Sequence, residues 1–446
     1  MLIRSKLTAP LCLLLSPVTA EAAGLRILSV PFEFLLFAAM LAGIAVFHRR
    51  TLQIALGGLA LLLLYKFAFT GFVGGPGLVG FLDHLNHEGV TLINLLGLLT
   101  GFALLADHFY RSHVPIVLPR VLPDDWKGGF LLLVIVFVLS SFLDNIAAAI
   151  IGGTMAKAVF RDRLHIGYIA AIVAASNGGG SGSVVGDTTT TMMWIKGVNP
   201  LEVLDAYIAA VSALLFFGVF AALQQQRYSP IVKNARADVK LDAARIAIVV
   251  FILLAAIAAN ILTNTVFPEL ANAFPVIGMA VWAALLITAP MRKPDFSLIP
   301  AAARSSLFLL SLVLCASLMP VKELPAASWH STLGLGFISA VFDNIPLTAL
   351  ALEQGGYDWG MLAYCVGFGG SISWFGSSAG VAICNLFPES RSVGAWLRGG
   401  WHVAVAYLIG FAALLLILGW HPTDTNGARA HPEPVSGPSK PLFKPA

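Results

Sequence analysis

Two polar motifs each occur twice in a chain that is otherwise strongly apolar. Each copy begins with an Asp-Asn pair, Asp144-Asn145 in the first half and Asp343-Asn344 in the second. A glycine- and serine-rich run follows each pair, at residues 179–187 and 369–377. Carboxylates and amides are costly inside membrane-length apolar sequence and are usually retained there for function. A duplicated polar set is typical of a transport protein whose site lies where two repeats meet.

Glycine runs let a helix backbone unwind and expose carbonyl and amide groups that a continuous helix would satisfy internally. When the two runs are aligned, most polar residues match, but Asp187 of the first copy is matched by Ser377 of the second. The glycines predicted to open the backbone are Gly179, Gly180, Gly186, Gly369, Gly370 and Gly376.

Two hairpin tips that meet two unwound helices would form one polar pocket near the centre of the membrane. The residues expected there include three carboxylates and no lysine or arginine, and oxygen ligands of this kind favour a small cation. A buried aspartate favours its protonated form unless a cation accompanies it, so one aspartate could exchange a proton for a cation. Asp187 is the first candidate for that exchange. The predicted ion- or substrate-binding residues are Asp144, Asn145, Asn177, Asp187, Thr188, Thr189, Thr190, Asp343, Asn344, Ser371, Ser373, Ser377 and Ser378.

Each of these features also has a purely structural interpretation. A glycine run can simply permit close helix packing. The threonines at 188–191 can bond to their own helix backbone, and the asparagines of the two pairs can cap turns. Duplication of the complete set favours the functional interpretation.

The composition excludes an ordinary soluble domain, because the chain is 58% hydrophobic and 11% charged, with a mean hydropathy of +0.85. We expect no nucleic-acid partner, because no basic run is interleaved with aromatic residues. The sequence shows no nucleophile–base arrangement and no phosphate-binding loop, so we predict neither an enzyme nor a bound cofactor. We also expect no metal beyond a transported monovalent cation such as sodium; the expected partners are membrane lipid and a small ion or carboxylate substrate.

Apolar stretches long enough to cross a bilayer recur along the chain. Residues 128–160 and 331–355 each carry an Asp-Asn pair near the middle, which predicts a re-entrant hairpin; residues 165–195 and 358–385 are split by the glycine runs, which predicts discontinuous helices. The fold class is therefore an all-α polytopic membrane protein with about ten transmembrane helices plus two re-entrant hairpins. The continuous spans are expected near residues 31–47, 51–70, 90–108, 203–223, 242–264, 275–290, 305–320 and 397–419.

The expected spans and hairpins place most of the 27 lysines and arginines in loops on one side of the membrane. The positive-inside rule assigns that side to the cytoplasm. Each half has five crossings and one hairpin, and an odd number of crossings makes the two repeats inverted.

A short motif at residues 83–88, Asp-His-Leu-Asn-His-Glu, is expected in a solvated outside loop rather than in a metal site. The predicted division is a signal peptide (1–23), a first repeat (24–223), a cytoplasmic linker (224–241), a second repeat (242–420) and a disordered external tail (421–446).

The chain resembles the ion transporter superfamily, most closely its NhaD-type sodium/proton antiporters and citrate-transporter-like members. The likeness covers roughly residues 90–420. Its most specific part is Gly-Asp-Thr-Thr-Thr at 186–190, ahead of Met-Trp-Ile at 193–195. The NhaD pattern has an aromatic residue and a Ser-Pro step before this segment, whereas this chain has Gly-Ser-Val-Val at 182–185. Further resemblance lies in residues 143–145, 176–180, 343–346, 364–371 and 376–381.

The resemblance implies a transport domain with hairpin tips and broken helices that moves as an elevator against a scaffold, and it implies a homodimer. The function expected first is sodium (or lithium)/proton antiport by alternating access, in a bacterial-type inner (plasma) membrane that the chain crosses many times. Cation-coupled transport of citrate or a related carboxylate is the alternative, because carriers of different substrates share this architecture. A third possibility is a non-transporting membrane subunit built on a transporter scaffold.

Overall fold

The computed structural model describes residues 25–423 except for 48–49, 73, 118–121, 232–239, 268–269 and 271–272. In this part of the chain the regular structure is almost entirely helical, and one small antiparallel pair of strands, β1 (Arg26–Ile27) and β2 (Val30–Pro31), precedes the first helix. The predicted signal peptide lies outside the described residues, as does the predicted tail from residue 424 onward.

The helices follow the apolar segments of the sequence and end at its polar breaks. In the first half they are α1 (Phe32–Val46), α2 (Thr51–Tyr65) with a π-helical turn (Lys66–Thr70), α3 (Gly77–Tyr110), α4 (Val114–Val117), α5 (Trp126–Ser140), α6 (Asn145–Val159), α7 (Ile166–Ser181), α8 (Thr188–Ile195), α9 (Pro200–Leu204) and α10 (Ala206–Tyr228). In the second half they are α11 (Ala243–Thr265), α12 (Val276–Thr288), α13 (Ile299–Ser317), α14 (Trp329–Ser339), α15 (Asn344–Gln354), α16 (Trp359–Gly369), α17 (Ser378–Leu386), α18 (Val393–Gly399) and α19 (Trp401–Ile417), with short 3-10 turns at Phe296–Leu298, Val321–Glu323 and Pro388–Ser390.

Among the described residues, five helical segments are long and apolar enough to cross a membrane. A sixth is added if α18 and α19, which meet at a bend of 62°, are counted as one span. Large apolar side chains on these helices face outward, among them Leu61, Leu64 and Leu416. Such a surface is unfavourable in water and favourable in lipid. The chain is therefore an all-α membrane protein; the count of ten spans stays a prediction.

The helices form two packed groups. The outer bundle consists of α1, α2, α3, α11, α12 and α13, and the site bundle consists of α5–α8, α10, α14–α17 and α19. The two bundles meet mainly where α13 packs on α15 and where α3 approaches α8. Both Asp-Asn pairs and both glycine runs lie in the site bundle.

The motif at residues 83–88 is not in a loop, contrary to the sequence-based expectation. It lies inside α3, a single helix of 34 residues that begins at Gly77. His84 and Glu88 are buried, four residues apart on the face that packs into the protein. Their polarity suggested a loop, but both buried side chains have partners outside α3: His84 hydrogen-bonds to Ser317 of α13 (3.0 Å), and Glu88 pairs with Lys196.

Each Asp-Asn pair interrupts an apolar segment. Helix α5 ends at Ser140 and α6 begins at Asn145, while α14 ends at Ser339 and α15 begins at Asn344. The aspartate of each pair is the N-cap of the second helix, because Asp144 accepts a hydrogen bond from the Ile146 amide (2.9 Å). Helices α5 and α6 have 15 residues each, roughly 22 Å, which is less than the hydrocarbon thickness.

Candidate functional site

The two copies of the motif make matching contacts. The Ser140 hydroxyl, at the end of α5, donates to the Ser176 carbonyl (2.5 Å). In the second copy the Ser339 hydroxyl, at the end of α14, donates to the Val366 carbonyl (2.7 Å). Each pair of helices joined at an Asp-Asn pair, α5–α6 and α14–α15 (here called the first and the second hairpin), is therefore fastened to the broken helix that follows it by an equivalent hydrogen bond.

The glycines lie where two backbones approach too closely for a side chain. A Cβ on Gly179 would lie 2.0 Å from the Phe137 carbonyl oxygen, and a Cβ on Gly369 would lie 2.3 Å from the Gly336 carbonyl oxygen. Gly179 and Gly180 are part of α7, and the break begins only after Ser181. The prediction that these two glycines unwind the backbone is therefore wrong: Gly179 permits close packing against α5, and Gly180 permits the close approach of the Gly186 carbonyl.

The remaining glycines lie at or beyond the ends of the broken helices. Gly186 and Gly376 stand directly before the N-caps of α8 and α17, and Gly370 follows the last residue of α16. A Cβ on Gly186 would lie 2.1 Å from the Ser140 carbonyl oxygen, so this glycine too is required by a close approach.

Replacement of Gly179 by alanine should destabilise the protein by about 1–3 kcal/mol, because the added methyl group forces α7 away from α5. Thermal unfolding of the purified protein in detergent would measure the change. Gly89→Ala is the matched control: nothing lies within 4 Å of its Cβ position in α3, so alanine should stabilise the helix slightly there. A neutral Gly179→Ala variant would contradict the close packing.

Asn177 connects the two halves. Its amide nitrogen donates to the hydroxyl of Ser371 (2.9 Å) and to the hydroxyl of Ser377 (3.0 Å). Its carbonyl oxygen accepts from the Asn145 amide (3.1 Å). Asn177 is fully buried, so these bonds replace those that it would otherwise make with water. One side chain of the first broken helix thus joins the first hairpin to the second broken helix.

Asp187 is joined to the second hairpin. Its Oδ2 atom accepts from the Asn344 amide (3.2 Å), and its Oδ1 atom accepts from the Thr189 backbone amide (3.3 Å), which caps α8. The side chain is 2% exposed. Both donors are neutral, so these bonds orient the carboxylate without neutralising its charge. A carboxylate in this setting requires a proton or a cation as its companion.

Two further aspartates flank this network, one in each copy. The Ser378 hydroxyl donates to Asp343 Oδ2 (2.8 Å), and in the first copy Thr188 lies beside Asp144. Each carboxylate therefore has beside it a hydroxyl-bearing residue of the helix that follows the glycine run.

Two predicted site residues turn away from this network. The Thr190 hydroxyl donates to the carbonyls of Ser183 (2.6 Å) and Asp187 (2.9 Å). The Ser373 hydroxyl donates to the Ala340 carbonyl (2.5 Å). These hydroxyls hold the non-helical segments in place. The structure thus brings together Asn145, Asn177, Asp187, Asn344, Ser371 and Ser377, and places Asp144 with Thr188 and Asp343 with Ser378 beside them.

A cavity of about 440 Å³ lies between the two bundles and reaches Asp343, the aspartate of the second Asp-Asn pair. Asp343 and Ser378 line it on the side of the site bundle, and Thr51 and Arg304 line it on the side of the outer bundle. Asn385, near the end of α17, lies on its wall as well. This cavity offers a path to the Asp343 carboxylate.

Sequence reasoning missed a charged cluster between the bundles, here called the interbundle triad: Glu88, Lys196 and Glu353. Lys196 Nζ lies 2.8 Å from Glu88 Oε2 and 3.1 Å from Glu353 Oε1. Glu88 belongs to α3, Lys196 follows α8, and Glu353 lies near the end of α15. Residues more than a hundred positions apart gave no sequence signal for this contact.

The fold and the site define a class: a helical membrane protein with a buried network of carboxylates and amides built from two matching motifs. Over 102 residues the chain is 33% identical to "Sodium/proton antiporter 1" of Arabidopsis thaliana. The matched stretch is 20% of this chain and 16% of that protein. No family model matches the chain. The similarity is partial, and it fits a cation transporter in general.

Proposed function

We propose that the protein is a secondary active transporter that exchanges sodium or lithium for protons by alternating access. The observation that carries the proposal is Asp187, a buried carboxylate held only by neutral donors in the bonds described, one of them Asn344 of the opposite copy. Loss of a proton creates a charge that a small cation can balance, and release of the cation restores the proton. The partial similarity to a sodium/proton antiporter supports the same exchange.

The proposal includes the architecture expected from the sequence: two inverted repeats divided by a linker, in a multi-pass protein of the inner membrane. The separation into an outer and a site bundle supports motion of the site bundle relative to the other, because the polar network lies wholly within one of them. Homodimerisation is part of the same proposal. No cofactor takes part, and the cation is a substrate.

Arg304 and Asn385, on the wall of the 440 Å³ cavity, lie beside segments with a predicted cytoplasmic location. The cavity would then be the cytoplasmic access path to Asp343, and closing it would require the bundles to move together. This supports alternating access, in which the site opens to one side at a time.

A panel of ion gradients across proteoliposomes tests the proposal. With purified protein and a pH-sensitive dye inside the vesicles, an imposed sodium or lithium gradient should drive proton movement in the opposite direction, and potassium should not. Absence of any proton flux with every cation would overturn the proposal and favour a non-transporting membrane subunit.

Cation-coupled uptake of citrate or a related carboxylate is the second candidate, and one observation favours it. The cavity is much larger than a sodium ion needs, and its wall carries the guanidinium of Arg304, which suits a carboxylate. Uptake of radiolabelled citrate under a sodium gradient separates the candidates, because the antiporter alone should take up none.

A further inference from the structure

A second cavity, of about 480 Å³, lies apart from the Asp187 network and shares no lining residue with it. His165 lines it where α7 begins, and Arg227 and Tyr228 line it where α10 ends. Trp401 and His402, the first two residues of α19, complete its wall. The cavity therefore lies at the ends of three membrane helices.

The polar groups of this cavity are mainly hydrogen-bond donors. Arg227 supplies a guanidinium, and Gln224 supplies a side-chain amide. His165 Nδ1 accepts from the Gly167 backbone amide (3.1 Å), so in the neutral ring the proton is on Nε2, which can donate. No carboxylate occurs among the described residues that line the cavity. A concave site rich in donors and free of acidic groups favours an anion.

Helix geometry adds to this preference. Two of the three helices, α7 and α19, present their amino ends, where backbone amides and the helix dipole attract negative charge. The carboxyl end of α10 opposes them, and Arg227 in its last turn offsets that end. An independent sign is His402, which is 1% exposed and lines the cavity although neither ring nitrogen has a hydrogen-bond partner in the described chain. A buried imidazole without a partner is costly and indicates a missing polar contact.

The open side of the cavity is aromatic and apolar. Phe220 and Trp401 are both exposed, with ring centroids 5.4 Å apart, and Leu223 lies beside them. Trp and Tyr side chains of this kind mark the level of lipid headgroups. Acyl chains can pack against such a surface, whereas a free water-soluble anion gains nothing from it. The combination points to a lipid rather than to a soluble ion.

We propose that this cavity binds the phosphate of an anionic phospholipid in the leaflet next to the predicted cytoplasmic loops. The Arg227 guanidinium, His165 Nε2–H and a ring N–H of His402 bind the phosphate oxygens. Phe220, Leu223 and Trp401 contact the start of the acyl chains. This lipid lies where the carboxyl end of α10 meets the amino end of α19, within the site bundle, and the proposal is independent of which ion the protein transports.

The test uses the full chain, purified and stripped of lipid, and native mass spectrometry to count bound phosphatidylglycerol and phosphatidylcholine. The wild-type protein should retain phosphatidylglycerol selectively. Arg227→Gln should bind it roughly tenfold more weakly, because a charge-assisted, two-pronged contact is lost. Arg227→Lys should fall between the two, since it keeps the charge but not the paired geometry.

Lys127→Gln is the matched control, because it removes an exposed basic side chain near a loop on the same predicted side but outside the cavity. It should bind phosphatidylglycerol as the wild type does. Arg227 is exposed, so its replacement leaves the fold intact, and an unchanged unfolding temperature without lipid verifies this. Equal binding by Arg227→Gln and the wild type would overturn the proposal. So would competition by inorganic phosphate at millimolar concentration, which would identify the ligand as a soluble anion.

Discussion

Replacement of Asp187 by asparagine should abolish cation-driven proton flux, reducing it at least 100-fold, while the protein still folds. Asparagine has the same shape and can accept the bond from the Thr189 amide that caps α8, but it can neither release a proton nor balance a cation. The unfolding temperature should stay the same or rise, because an uncompensated buried charge is removed. Proteoliposome flux and thermal unfolding, measured on the same preparation, check both halves of this expectation.

Asp205→Asn is the control for this experiment. Asp205 is a carboxylate of the same half, between α9 and α10, and has no part in the Asn177 and Asn344 contacts. The control should exchange ions normally. Normal exchange in Asp187→Asn would remove Asp187 from the mechanism, and equal loss in both variants would attribute the effect to general electrostatics.

Replacement of Lys196 by methionine should destabilise the protein by about 3–5 kcal/mol, because it leaves Glu88, a buried carboxylate, without its cation. Because the interbundle triad joins the bundles, the loss should also loosen the contact of α3 with α8. Chemical or thermal unfolding in detergent measures the first effect, and hydrogen exchange in α3 measures the second.

Two further variants test whether the loss of stability comes from the unpaired buried carboxylate or simply from removal of a lysine charge. Lys157→Met removes an ion pair with Asp162 (3.2 Å) whose side chains are 48% and 68% exposed, and it should cost less than about 1 kcal/mol. The triple variant Glu88→Gln/Lys196→Met/Glu353→Gln should recover most of the lost stability, since no buried charge is left unpaired. If Lys196→Met is as mild as Lys157→Met, the triad does not bind the bundles together.

Much of the fold follows from local sequence. The Asp-Asn pairs predict helix breaks because aspartate caps the next helix, and both breaks occur there. The glycine runs likewise predict broken helices, and the first break ends where α8 begins at Thr188. Local rules fail for α3, where the polar residues at 83–88 suggest a loop. The two buried members, His84 and Glu88, have their partners far along the chain, at Ser317 and Lys196, and no local pattern shows that a polar residue will be paired at a distance.

The contacts of the site are harder to predict from local sequence than the fold is. Duplication identifies the relevant residues, but it does not reveal that Asn177 bonds to Ser371 and Ser377 or that Asn344 bonds to Asp187. These contacts cross between copies. The position of Gly179 inside α7 also escapes local rules, because the same glycine-rich sequence suits an unwound segment or a tightly packed helix.

The exchange of partners between the copies makes the two halves chemically unequal. The position that matches Asn177 is Gly367, where a Cβ would lie 3.6 Å from Asp187 Oδ2. Two identical copies of the first motif would therefore crowd a second asparagine and a second carboxylate into one centre, whereas two copies of the second would supply neither. The present network therefore depends on the differences between the two motifs. Each half is an obligate partner of the other, like the subunits of a heterodimer joined in a single polypeptide.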